Sequence, residues 1–326
     1  MGLRVHFELN TEKCIGCGLC MQVCEGMVLM PDKDGRPQMA SEDAWNGRGC
    51  WGCQHCMAVC PNGAISIMGR HPENSVPPPG PEIEKALDAL ILNRRSCRIY
   101  EDRNVEPEKI QKILKILSNA PSGGNRQAIE FTVVTDKDKL KEIWNVAYTR
   151  MECLAAQGIY SYGITPEFYE FMKASEQRTR PGDSLFCTAP HLFIAHQELR
   201  GDTSWATDKL VENSIVSTYF ELLCAAHGLA ATMMTYPVGI LREMPDVYEM
   251  LGIPSNHCVC LMVGFGYPKI KYPRGVQREG TNVITLIDKD GMQSSGRVGG
   301  WYAPDERLDD TIPESCLRES RDVILE

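Results

Sequence analysis

Hydrophobic positions recur along most of the chain with one of two periods. Spacing of three and four residues predicts helices over Ile83–Asn93, Pro107–Ser118, Lys137–Leu154, Pro166–Gln177, Asp208–His227 and Arg242–Leu251. In the second of these, Ile110, Ile113, Leu114 and Leu117 share one face. The fifth is the longest and most apolar. Val211, Ile215, Tyr219, Leu222, Leu223 and Ala226 line it near helical spacing, and Gly228 is positioned to end it. Short β-rich runs predict strands at Ile129–Val134, His191–Ala195, Ala230–Thr235, Cys258–Val263 and Val283–Ile287. Everything from Glu82 to the end therefore reads as one mixed α/β or α+β domain, with a polar tail after Gly291 expected to wrap a partner subunit.

The first 70 residues follow a different pattern. Val5–Leu9 alternates and reads as a short strand, with Ala64–Met68 as its partner. A polar insert from Gly26 to Gly49 reads as a surface hairpin turning at Asp34-Gly35. Residues 71–81 form a linker that ends in Val76-Pro-Pro-Pro-Gly-Pro81. Such a stretch is extended and semi-rigid, and serves equally as a spacer for a redox centre or as a plain domain boundary.

The chemistry of the N-terminal part lies in its cysteines. Cys14, Cys17, Cys20 and Cys24 are spaced C-x-x-C-x-x-C-x-x-x-C, and Cys50, Cys53, Cys56 and Cys60 repeat the run before Pro61. This is the spacing that holds 4Fe–4S clusters in bacterial ferredoxins, where the fourth cysteine of each run serves the other cluster. The crossed assignment groups Cys14, Cys17, Cys20 and Cys60 on one cluster, and Cys50, Cys53, Cys56 and Cys24 on the other. Disulfides call for an oxidising compartment, and Met1–Asn10 shows no apolar signal core. Zinc sites usually take two C-x-x-C pairs, without third and fourth cysteines at this spacing. Glu25 stands where a proline often follows the fourth cysteine, which alters a turn but no ligand.

Composition narrows the partners. A net charge of −9 argues against nucleic acid and anionic membranes, and no apolar stretch approaches the length of a membrane span. Seven further cysteines, mostly among apolar neighbours, suit a reducing cytoplasm, and exposed Fe–S chemistry suggests an anaerobe.

The larger domain lacks a G-x-G-x-x-G turn into a helix, a P-loop, an H-E-x-x-H helix and a G-x-S-x-G elbow. It does carry Arg94-Arg-Ser-Cys-Arg98, three guanidiniums and a hydroxyl that make an anion grip, although such a run standing alone is usually a solvated helix end. Ala120-Pro-Ser-Gly-Gly-Asn-Arg-Gln127 follows, a loop of small residues and amides suited to the edge of a planar ring. Tyr236-Pro-Val-Gly-Ile240 and Gly266-Tyr-Pro268, with Lys269, Lys271, Arg274 and Arg278 beyond, complete the set.

These four motifs, in this order, resemble the FMN-dependent nitroreductase family, and the N-terminal part resembles two-cluster ferredoxins. Together they look like a ferredoxin–nitroreductase fusion, over nearly the whole chain from Cys14 to about Arg278. The resemblance implies an α+β sandwich that forms an intimate homodimer with two FMN molecules at its interface, and it puts the helix 208–227 in the dimer core. Carried over by position, Arg94, Arg95, Ser96 and Arg98 bind the FMN phosphate, ribityl chain and pyrimidine edge. Pro121, Ser122, Asn125 and Gln127 lie at the flavin ring, and Pro237, Val238 and Gly239 near its N5 side. Arg278 best matches a late phosphate-binding arginine. Gln127-Ala-Ile departs from the family, which often has an aromatic residue there. Between residues 148 and 185, Tyr148, Tyr160, Tyr162, Phe168, Tyr169, Phe171 and Met172 are candidates for a roof over the flavin, although an aromatic stretch at this spacing is more often helix core. Arg178 and Arg180 are candidates for meeting an acidic substrate, or for a solvated turn.

The activity this implies is an electron relay. A ferredoxin-like protein reduces the clusters, or NAD(P)H reduces FMN directly. The flavin then passes electrons to a nitro-aromatic, a quinone or a similar planar electrophile. No side chain is obligatory as acid or base. Reductive dehalogenation is an alternative on the same fold, and a non-enzymatic electron-transfer subunit is an alternative of another class.

Overall fold

A computed structural model describes residues 5–40, 49–160, 165–178, 183–199, 206–242, 244–276, 284–289 and 291–295. The chain divides into two compact units, 1–271 and 272–326. The cysteine-rich part and the larger sheet both lie in the first.

In the cysteine-rich part, β1 (Phe7–Leu9) is followed by α1 (Leu19–Gln22), β2 (Leu29–Pro31), β3 (Pro37–Met39), α2 (His55–Ala58) and β4 (Ile65–Ile67). β1 and β4 pair antiparallel with Phe7 opposite Ile67, as their alternation predicts. β2 and β3 form the expected hairpin. The Asp32 carboxylate accepts the N–H groups of Asp34 and Arg36, and Gly35 supplies the φ of +77° that the turn needs. The two cysteine runs have one backbone shape. Gly16 and Gly52 have φ of +68° and +63°, and Gly18 and Gln54, at the starts of α1 and α2, have +76° and +62°. The repeat in sequence is thus a repeat in structure.

Beyond the linker come α3 (Ile83–Asn93), α4 (Pro107–Leu117), β5 (Glu130–Val134), α5 (Lys137–Ala156) and α6 (Pro166–Arg178). β6 (His191–Glu198), α7 (Ala206–Ala226), β7 (Ala230–Met234), α8 (Tyr236–Leu241), α9 (Pro245–Met250) and β8 (His257–Gly266) follow. The four strands make one antiparallel sheet in the order β5-β6-β8-β7. α4 and α7 cover one face, through Ile113, Leu117, Phe220 and Cys224 against Phe193 and Val263. α5, α8 and α9 cover the other, through Ile143, Ile240 and Val247 against Ile194 and Met262. This is the expected α+β sandwich. β6 is buried from His191 to Gln197, so its continuous apolar run reflects cover on both faces. A Cβ on Gly264 would lie 2.8 Å from that of Ala189, and one on Gly266 would lie 2.5 Å from Pro190 Cγ, so the Gly-x-Gly of β8 admits the 186–190 segment.

Four features lie beyond the sequence reading. α7 packs on the sheet through Asn213, Val216, Ser217, Phe220 and Cys224, while Val211 and Tyr219 are exposed. Its C-terminal end behaves as expected: Gly228 has φ of +74° and Leu229 N–H bonds Cys224 C=O. The segment at 236–240 is helical, with Pro237 in its first turn. β8 carries a one-residue bulge, since the pairing with β6 slips between Ile194 and His196. In the second unit, β9 (Ile284–Asp288) pairs with β10 (Gly291–Ser295), a hairpin where only one strand and a tail are expected. No described helix is long and apolar enough to cross a membrane.

Candidate functional site

The eight cysteines of the two runs gather in two pockets. Cys14, Cys17, Cys20 and Cys60 line one, and Cys24, Cys50, Cys53 and Cys56 line the other. Each set is the crossed one, three thiols from one run and the last from its repeat. Among the described residues, the ligand atoms that come within 4.8 Å of one another in a group of three belong to other side chains, not to these cysteines. A tetrahedral zinc holds its sulfurs about 3.8 Å apart, from a Zn–S bond of about 2.3 Å. Sets of four sulfurs in this crossed composition suit the 4Fe–4S assignment that the spacing predicts. Ala64 N–H donates to Cys60 Sγ at 3.2 Å and Gly52 N–H to Cys50 Sγ at 3.4 Å, bonds of the kind that tune cluster potentials. Burial, with the neighbouring thiols of Cys24, Cys50 and Cys53, pushes Cys56 up to about 11, and burial raises Cys20 and Cys50. Metal loading must therefore displace protons from these sulfurs. Asn62 Nδ2 donates to Lys13 C=O, which ties the two runs together.

Among the described residues, one hydrogen bond joins the second run to the larger domain. Asn125 Nδ2 donates to the main-chain oxygen of Trp51 at 2.9 Å. Asn125 belongs to the Pro121–Gln127 loop, which is held by its own hydroxyl and by α7. Ser122 Oγ accepts Gln127 N–H at 2.9 Å, and the Glu212 carboxylate accepts Gly123 N–H. Gly124, Asn125 and Gln127 have φ of +60°, +53° and +45°. The Gly-Gly-Asn sequence suits this left-handed path; Gln127 holds it against its own Cβ.

The arginine run lies along the free edge of β7. Ser96 bridges Ala231 in parallel, and Cys97 N–H bonds Ala231 C=O. Arg94 pairs with Glu221 of α7 at 3.0 Å, and burial raises the Glu221 carboxyl while the guanidinium pulls it down. Arg95 donates to the carbonyls of Leu92 and Arg94 and so caps α3. The guanidinium of Arg98 is exposed and lines a cavity of about 250 Å³. Opposite it stand Phe168, Phe171 and Met172 of α6, together with Cys187, Thr232 and Tyr236. Tyr236 donates to Ser184 C=O and lies 3.2 Å from Cys187 Sγ. Cys187 and Thr188 have φ of +56° and +58°, a strained pair of the kind found at ligand sites. Thr232 Oγ1 is buried at the cavity and finds no hydrogen-bond partner among the described residues; Arg95 Nε is likewise buried and unpartnered. An orphaned hydroxyl, a guanidinium and an aromatic wall around one cavity fit a flat ligand that carries an anionic arm.

The aromatic residues between 148 and 185 divide. Phe168 and Phe171 face the cavity, whereas Tyr148 stacks on Trp144 and Tyr169 packs edge-on to Tyr160. Pro237 and Val238 are buried in α8, directly after the cavity-lining Thr235 and Tyr236, and Gly239 is half-buried beside them. The arginine run and the Pro121 loop stay apart in this chain, since each leans on a different part of α7. Arg278, Tyr162 and Arg180 lie outside the described residues, and nothing is described of the Arg178 side chain. Thr232, Cys187, Glu221 and the Trp51 carbonyl were not legible in the sequence. Only their position beside a motif residue marks them.

Both parts of the chain match known families. Residues 91–267 match the nitroreductase family, and residues 13–64 match the 4Fe-4S dicluster domain. The chain is similar to a putative NADH dehydrogenase/NAD(P)H nitroreductase of Archaeoglobus fulgidus, 31% identical over 55% of this chain and 84% of that one. It is also similar to an iodotyrosine dehalogenase 1 homolog of Caenorhabditis elegans, 28% identical over 53% of this chain; it spans about half, 52%, of that relative's length. Its N-terminal part is similar to an uncharacterized ferredoxin of Methanocaldococcus jannaschii, 35% identical over 20% of this chain and 80% of that one. The chain belongs to the nitroreductase family and carries a 4Fe-4S dicluster domain ahead of its nitroreductase fold.

Proposed function

We propose that this chain is an FMN-dependent oxidoreductase that moves electrons between two 4Fe–4S clusters and FMN and reduces a nitro-aromatic, a quinone or a similar planar electrophile. The carrying observation is the bond from Asn125 to Trp51 C=O, which joins the loop matched to the flavin ring with the second cysteine run. Cys14, Cys17, Cys20 and Cys60 hold one cluster, and Cys24, Cys50, Cys53 and Cys56 hold the other. Arg94, Arg95, Ser96 and Arg98 receive the FMN phosphate and its polar edge, and Arg278 is the expected second phosphate partner. Arg94 and Arg95 are braced by Glu221 and by α3, which leaves Arg98 as the exposed guanidinium of the run. Pro121, Ser122, Asn125 and Gln127 form a wall of the ring pocket, with Pro237, Val238 and Gly239 at its N5 side. Bound FMN supplies a carrier that takes up one or two electrons, and the protein supplies position and electrostatics.

The site is completed by a second copy of the chain. α3 has no buried residue, and Ile83, Leu87 and Ile91 are 48%, 46% and 52% exposed. Val211 and Tyr219 of α7 add 51% and 45%. Such faces are covered in a homodimer. The arginine run leans on Glu221 and the Pro121 loop on Glu212, nine residues or roughly 14 Å apart on α7; with FMN at the dimer interface, as the family resemblance implies, each protomer supplies one half of the site. Position 15, which matches Trp51 in the first run, holds Ile15 at 67% exposure and suits a ferredoxin-like donor. NAD(P)H, as in the relative's name, is the other source of electrons. The free thiols suit a reducing cytoplasm.

Anaerobic purification tests the reading: about eight irons and about one FMN per chain are expected, and about four irons or no flavin would overturn it. A second reading, reductive dehalogenation, draws on the iodotyrosine-named relative. Turnover of 3-iodotyrosine in preference to nitro-aromatics would select it. A substrate-sized space left over the bound flavin beside Phe168 and Phe171 would favour an enzyme over a pure electron carrier.

A further inference from the structure

At the far end of the sheet from the Arg98 cavity, three polar side chains converge from three neighbouring strands. Glu130 of β5 stands directly opposite His196 of β6, so both point to one face. Glu198, two residues on, points the same way and stands opposite His257 of β8. Regular pairing would turn His257 to the other face. The bulge in β8 reverses the alternation and brings it round to join His196 and Glu130.

The result is a compact ligand set. His196 Nδ1 lies 2.8 Å from His257 Nδ1, and His257 Nε2 lies 4.0 Å from a Glu130 carboxylate oxygen. His196 Nε2 is 3.1 Å from Thr132 Oγ1. That contact engages the outer nitrogen of His196 and leaves Nδ1 to face its neighbour, the arrangement by which an outer-shell partner orients a metal-bound imidazole. Among the described residues, this is the one group in which three candidate ligand atoms lie within 4.8 Å of one another. His196 is buried, whereas the Glu130 side chain is 63% exposed and gives access from solvent.

We propose that Glu130, His196 and His257 form a binding site for one divalent transition-metal ion of the zinc class, separate from the cluster and flavin sites. Two imidazoles and a carboxylate are a recurrent zinc ligand set, with a fourth position open. An ion at about 2.0–2.1 Å from each nitrogen needs the Nδ1 atoms about 3.4 Å apart, so the rings part by roughly half an ångström. The site lies where β5 begins, three residues after Gln127. On the neighbouring residue of β6, Gln197 donates to the same Glu212 carboxylate that accepts Gly123 N–H. A bound ion therefore pins β5, β6 and β8 at the foot of the loop that meets the cluster domain.

Equilibrium dialysis of the oxidised, iron-loaded protein against buffered Zn²⁺, with zinc and iron counted by mass spectrometry, tests this. About one zinc per chain is expected, with affinity lowered at least tenfold in His257→Gln and in Glu130→Gln while iron is unchanged. Glu130 is exposed, so its variant carries the test if the histidine variant does not fold. Absence of bound zinc in the parent protein, or equal binding in both variants, overturns the proposal and leaves the histidines a hydrogen-bonded pair only.

Discussion

Asn125 turns its amide to the main chain of the cluster domain, and the consequence is kinetic more than thermodynamic. Losing one hydrogen bond of this kind costs about 0.5–1.5 kcal/mol, too little to unfold either part. In Asn125→Ala we expect iron and flavin contents to hold while stopped-flow reduction of the flavin from the cluster side slows. His191 makes the opposite case, a buried residue whose effect is on stability. Its Nε2 accepts Val105 N–H at 2.8 Å, and burial lowers its pKa from the usual 6.5. Below about 6.5 the unfolded chain takes up a proton that the folded chain refuses, so this contribution to stability is lost as pH falls through that value. His191→Phe removes both effects. Thermal melts should show it destabilised by about 1–3 kcal/mol at pH 7.5, from the unpaired N–H, with a smaller further loss at pH 5.5 than the parent shows.

The elements carry the logic of the repeat. Each short helix brings its third cysteine inward, and each run lends its last thiol to the other pocket. Cys24→Ser should therefore empty the pocket of the second run and spare that of the first. About four irons should remain, and flavin reduction from the cluster side should fail, as iron analysis and stopped-flow would report. Much of this was legible in the cysteine spacing, because a cluster demands ligands at fixed intervals. The strands and helices were legible for the same reason that they form: one face apolar, one polar. α7 was not. Its two faces are both rich in apolar residues, so period alone says helix but does not say which side meets the sheet. The residues that fill the inner face, Asn213, Ser217 and Glu221 among them, are polar and look like surface. The bulge in β8 was hidden too, since one inserted residue leaves no mark on a run already apolar throughout.

For the whole molecule, the outward faces of α3 and α7 are the surfaces that the proposed homodimer would cover. An 11-residue helix with no buried residue is marginal alone and needs a partner. Leu87→Glu combined with Tyr219→Glu should shift the protein to a monomer in size-exclusion chromatography with light scattering. FMN should leave with the partner, seen as lost 450-nm absorbance, while iron stays. A variant that stays dimeric, or a monomer that keeps its flavin, would show that one chain builds the site.

The bond to position 51 falls on a main-chain oxygen, and the side chain there takes no part in it. It asks for the shape of a turn and is indifferent to the identity of a residue. The turn after the first cysteine is made twice in this chain, with Gly16 and Gly52 at matching angles. The cluster domain is thus a plug with two similar ends, of which one is seated and one is bare at Ile15. Any dicluster domain that makes the same turn offers the same oxygen to Asn125. The contact thus constrains the main chain of the cluster domain and leaves the side chain at position 51 free to vary.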